Sequence, residues 1–125
     1  MRAPALILFT VALFSAASVR ADDTTAINKL IADINAAAKT NKARVMKIII
    51  INTDVAAATL EQEKARTGLS LGEVYVAHSL ARASQKTFSQ IVAAKAGGQS
   101  WAKIAATNKV SLKGSTAALK EMLKE

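Results

Sequence analysis

After Pro4 the chain contains no proline, and that absence constrains the fold more than any other feature of its 125 residues. Proline is the residue that most reliably ends a helix, so this chain is punctuated only by glycine and by polar capping residues. From Asp22 onward there are five glycines, while alanine fills 21 of 104 positions. Alanine has the highest helix propensity and is depleted in strands, which points to an all-α fold. The apolar spacing divides it into a compact bundle of about six or seven short helices.

The first 21 residues have a different purpose. Arg2 supplies a positive start, Ala5 to Phe14 an apolar stretch of ten residues, and Val19-Arg20-Ala21 a site of the kind a signal peptidase reads. The expectation is a signal peptide, residues 1–21, cleaved after Ala21. The protein would then be periplasmic or extracellular. The competing reading is an uncleaved anchor, because Ala3 to Val19 is a charge-free run at the lower edge of a membrane span. Thr10, Ser15, Ser18 and Pro4 dilute that run. Residues 22–125 carry 15 basic and 9 acidic side chains, a net +6, and no later segment reaches spanning length.

That remaining length fits a single helical domain. Residues 22–41 read as an N-terminal helix with a cap among Asp23, Thr24 and Thr25 and an apolar face of Ile27, Leu30, Ile31 and Ile34. Residues 42–84 supply the central helices. The β-branched run within Lys42 to Asn52 would also suit a strand; with no partner strand evident, a helix buried nearly all round is the expectation. Ala56 to Arg66 follows as a helix closed by Gly68. Ser70 and Glu73 form a capping box, with Leu69 and Val74 placed as a hydrophobic staple, ahead of a central helix running to about Ser84. Thr87 and Gln90 repeat the box in the last segment, residues 85–125. A helix then ends at Gly97-Gly98, Ser100 caps a short one, and Ser115 caps the last, whose inner face is Leu119, Met122 and Leu123. Val45, Lys47, Ile48, Asn52 and Val55 are faintly echoed by Trp101, Lys103, Ile104, Asn108 and Val110, a minor hint of duplication.

Chemistry is sparse. The chain has no cysteine, which excludes disulfides, thiolate nucleophiles and thiolate metal sites. His78 is the only histidine. It shares a helical face with Tyr75 and Arg82, but no carboxylate stands at the right spacing on its own helix, so a packing or half-exposed histidine is favoured over an acid-base group. Glu61 and Glu63 point to different sides of their helix and read as solvating charges beside Lys64 and Arg66, not as a glycosidase pair. Gly97-Gly98-Gln99-Ser100 reads as a turn between helices before it reads as an anion cradle. Trp101 and Phe88 read as core anchors, with a surface stacking platform as the alternative. No cofactor and no metal is implied.

From Phe88 to Leu123 the segment FSQIVAAKAGGQSWAKIAATNKVSLKGSTAALKEML resembles a tri-helical helix-turn-helix of DNA-binding regulators and recombinases. The resemblance implies a supporting helix in SWAKIAATNKVS and a groove-entering helix in STAALKEML. Ser115 to Ala118 are small where such families carry base-reading side chains, leaving Lys113, Lys120 and Lys124 for phosphate contacts. The segment GLSLGEVYVAHSLA, followed by GQSW and IA, is also similar to small exported bacterial proteins of unknown function, which implies no activity.

The functional expectation is therefore an exported, non-enzymatic helical module that binds a protein or an anionic envelope component. The alternative is a nucleic-acid-binding helix-turn-helix protein, which export would carry away from the genome. Lys103, Lys109, Lys113 and Lys120, with Trp101 and His78, are the candidate interaction residues.

Overall fold

The computed structural model describes residues 21–111 together with Leu119, Glu121 and Leu123. The leader expected over Met1 to Ala21 thus lies outside the described residues except for Ala21; Ser115, Met122, Lys113, Lys120 and Lys124 lie outside them as well. Among the described residues six helices follow one another: α1 (Ala21–Thr40), α2 (Lys42–Thr53), α3 (Ala57–Thr67), α4 (Leu71–Ser84), α5 (Phe88–Ala96) and α6 (Trp101–Thr107). Leu119, Glu121 and Leu123 are helical too, and no strand occurs among the described residues. The fold is an all-α bundle, and none of its described helices is long and apolar enough to cross a membrane.

α4 is the centre of the bundle, packing against α1, α2, α3, α5 and α6. Its sequence explains that position. Leu71, Val74, Tyr75, Val76, Ala77, Leu80 and Ala81 are all buried and cover most of its circumference. Ile27, Leu30 and Ile34 of α1, Val45 and Ile49 of α2, Leu60 of α3, Ile91 of α5 and Ile104 of α6 close around it. Leu119 is buried in the same core and Leu123 packs against it, with the Leu123 carbonyl accepting a hydrogen bond from Arg44 Nη1 at 3.3 Å.

The crossing of α1 and α4 depends on Gly72. A Cβ at that position would lie 2.6 Å from the Ile31 carbonyl oxygen and 2.9 Å from its Cα, so only glycine permits this approach. The Gly72 N–H, one of the unpaired donors of a helix start, donates to Asn35 Oδ1 at 2.8 Å. α1 thereby caps α4 from the side.

Helix ends follow the capping residues. Ser70 and Glu73 form the expected box, as do Thr87 and Gln90, and the Ser100 hydroxyl accepts from the Lys103 N–H. Leu69 is half-buried against the core, as a staple residue should be. Gly68 closes α3 with φ 77°, whereas after α5 the positive φ falls on Gly98 and not on Gly97. Asp54, Gln85 and Lys109 also take the left-handed conformation, at φ 58° to 61°. Asn52 and Asn108, paired in the sequence echo, each donate from Nδ2 to the carbonyl four residues earlier, Ile48 and Ile104, at 2.8 Å.

Two expectations about helices need correction. α1 is already helical at Ala21, so Asp23, Thr24 and Thr25 lie inside the helix and do not cap it; acidic residues are well tolerated in an early turn. α2 is a helix, but it is not buried nearly all round. Val45, Met46, Ile48 and Ile49 face the core while Lys47 is exposed and Ile51 is 67% exposed, because α1, α3 and α4 cover only one side of it.

Candidate functional site

His78 has the partner that its own helix does not provide. Its Nε2 lies 2.6 Å from Glu63 Oε1 on α3, with the side chains only 13% and 10% exposed. Phe88 stacks on the imidazole, ring centroids 4.3 Å apart and planes inclined by 21°. Three helices thus meet at one histidine. Glu63 is the one buried charged residue of the described core, which corrects its reading as a solvating charge. Its burial is tolerated because the imidazole satisfies its carboxylate; the Thr67 hydroxyl separately donates to the Glu63 backbone carbonyl at 2.6 Å. Ser79, beside His78, donates its hydroxyl to the Tyr75 carbonyl at 2.9 Å and so makes no triad with the pair. Arg82 reaches the Asn52 carbonyl at 3.4 Å, and Tyr75 is buried, so the face shared by Tyr75, His78 and Arg82 is divided between core and surface. Burial raises the Tyr75 phenol above its ordinary value, partly offset by Ser79.

Trp101 is 4% exposed and packs in the core. Its indole N–H donates to Glu73 Oε2 at 3.1 Å, while Glu73 Oε1 accepts from the Ser70 N–H at 3.1 Å. Lys95 places its ammonium 5.2 Å from the centre of the indole ring. One carboxylate therefore serves both the cap of α4 and the seat of α6. Lys103 is half-buried on α6 and Lys109 is exposed just beyond it in the left-handed conformation. These two lie on the α6 side and His78 faces α3 and α5, so the described candidates Lys103, Lys109 and His78 do not share one cluster; Lys113 and Lys120 lie outside the described residues.

A different set does converge. Asn35, Ala38 and Lys39 of α1, Lys42 of α2, Lys64 of α3 and Ser70-Leu71 at the start of α4 line an open groove of about 260 Å³. Lys42 Nζ lies 2.8 Å from Glu61 Oε2 and Lys64 Nζ 3.5 Å from Glu61 Oε1. The hydrogen bond from Lys42 is the main reason why the Glu61 carboxyl titrates below its usual range, with the charge of Lys64 adding to it. The pairing of Glu61 with Lys64 agrees with its expected role as a surface charge. Lys39 and Lys42 were not singled out from sequence, since their convergence with Lys64 depends on how three helices pack. Among the described residues no three His, Asp or Glu side chains gather to hold a metal ion. Compared with known protein families, curated proteins and solved structures, the chain finds no match.

Proposed function

We propose that this protein is an exported, non-catalytic helical module that binds an anionic partner through its lysine-bearing surface. One observation carries the reading: the side chains able to do chemistry are turned inward and engaged between helices, while the cations are turned outward. Glu63 holds His78, Glu73 holds Trp101, and Asn35 holds the start of α4. Lys39, Lys47, Arg66, Arg82, Lys86 and Lys109 are exposed. A positive surface of this kind raises the local concentration of anionic partners and speeds their encounter. Export is supported by the leader pattern of Met1 to Ala21, and anion binding by the net +6 that remains after its removal.

The test is fractionation of the producing cells followed by recovery of what co-purifies with the tagged chain at low and at physiological salt. The reading expects a shortened chain outside the cytoplasm and an anionic companion that dissociates with salt. An intact chain in the cytosol, or no salt-sensitive companion, would overturn it.

A second reading, nucleic-acid binding, rests on the helix-turn-helix resemblance: α6 stands where its supporting helix is expected, with Lys103 on it and Lys109 just after it, while most of the groove-entering segment STAALKEML lies outside the described residues. It expects duplex binding that discriminates among sequences and weakens steeply with salt.

A further inference from the structure

We infer that the groove between α1, α2, α3 and the start of α4 is a seat for a phosphate-type oxyanion, bound by the ammonium groups of Lys39, Lys42 and Lys64. The inference rests on the reading of the protein as an anion-binding module and gives that module its site. Lys42 and Lys64 already share one carboxylate, at 2.8 and 3.5 Å from the two oxygens of Glu61. Glu61, which stands beside the groove and does not line it, thus holds two of the groove's ammonium groups at a spacing that an oxyanion bridges. Lys39 lines the same groove with no ion-pair partner among the described residues. Three cations against one carboxylate leave the cluster at net +2, so Glu61 acts as an internal stand-in that does not neutralise it.

The stand-in is displaceable. Glu61 is 46% exposed and Lys42 51% exposed, and ion pairs this wet are weak, so exchanging the carboxylate for a doubly charged phosphate loses little and gains the pull of Lys39. Asn35 lines the groove with its Oδ1 held by Gly72, which leaves its amide NH2 as a neutral donor to a ligand oxygen. Ala38 and Leu71 give the groove an apolar floor beside the cations, suited to a phosphate carried on a short carbon chain. The start of α4 is not the binding element, because its Ser70, Gly72 and Glu73 N–H groups already donate to Glu73, Asn35 and Ser70 side chains.

The phosphate would reach the groove either free in solution or on a lipid headgroup, and the experiment separates the two. The chain without its first 21 residues is titrated with inorganic phosphate, and separately with vesicles containing phosphatidic acid, while backbone amide resonances are followed. Saturable shifts confined to Lys39, Lys42, Lys64, Ser70 and Leu71 are expected. Lys42→Gln with Lys64→Gln should weaken binding at least about tenfold, since each removes a charge-assisted bond. Glu61→Gln should strengthen it by removing the internal competitor, and Lys86→Gln should leave it unchanged. A response to vesicles alone with the same residue dependence assigns the lipid-borne phosphate. Shifts spread over Lys29, Lys47, Lys86 and Lys109, unaffected by the groove variants, would overturn the site while leaving a diffuse anion-binding module. Silence toward both probes would overturn the site and the broader reading together.

Discussion

Glu73 and Trp101, 28 positions apart, are joined by an indole N–H to carboxylate bond of 3.1 Å whose acceptor also caps α4. The tryptophan therefore contributes both buried ring area and a tie between two helix starts. Trp101→Ala should destabilise the fold by about 3–5 kcal/mol, the usual range for emptying a large aromatic site. Trp101→Phe keeps most of the ring and orphans one acceptor, so about 1–2 kcal/mol is expected. Urea unfolding measures both; equal midpoints for the wild type and Trp101→Ala would place the ring outside the core.

The Glu63–His78 contact couples α3 to α4, and removing one partner leaves the other polar and nearly dry. His78→Ala should cost about 2–4 kcal/mol, part of it from the unpaired Glu63. Glu63→Gln with His78→Ala should cost less than the sum of the two single changes, with a coupling of about 1–3 kcal/mol in a double-mutant cycle. Additive costs would show that the two side chains do not act together. His78→Ala should leave phosphate binding in the groove intact, since His78 is not among the residues that line it.

Gly72→Ala sets two effects against each other. Alanine favours helix by about 1 kcal/mol over glycine, but its Cβ would meet the Ile31 carbonyl at 2.6 Å, and a backbone atom within a packed helix cannot swing aside. Overpacking should prevail, with a net loss of about 1–3 kcal/mol and an altered α1–α4 crossing. A thermal midpoint at or above that of the wild type would refute the close approach.

Tyr75 is the only tyrosine, so its ionisation is visible alone in the ultraviolet. Burial raises its pKa in the folded chain above the ordinary 10.0. A raised folded value means that the contribution of this group to stability is complete below the unfolded value and declines as pH climbs through the folded one. Phenolate absorbance should therefore appear later in the folded protein than in urea, and Tyr75→Phe should reduce the loss of stability above about pH 10. Coincident titration curves in the two states would contradict the burial.

Boundaries set by neighbouring residues were legible in the chain. Ser70 with Glu73, Thr87 with Gln90, Ser100 and Gly68 each act within one turn, and each stands at the helix end where local chemistry placed it. Contacts that depend on packing were not. Glu63 and His78 are 15 positions apart, Asn35 and Gly72 are 37 apart, and no local pattern says which helix faces which. The isoleucine run of α2 misled for the same reason: composition reports how apolar a segment is, not which of its sides a neighbour covers, and Ile51 was left outside. The lysine groove draws on three helices, so its members look like ordinary solvated charges until those helices are packed.

Asp54 and Gln85 cap their helices, and Lys109 follows the cap of α6, in a backbone conformation that suits glycine better than the residues present. An L side chain in that region costs about 1–2 kcal/mol, against about 0.5–1 kcal/mol for the extra freedom glycine gains when unfolded. Gln85→Gly should thus raise the thermal midpoint slightly, as a melting curve would show, and a lower midpoint would speak against the strain. The links between these helices hold headroom for engineering: a sturdier variant is within reach by changing three hinge points, with the buried interior left untouched.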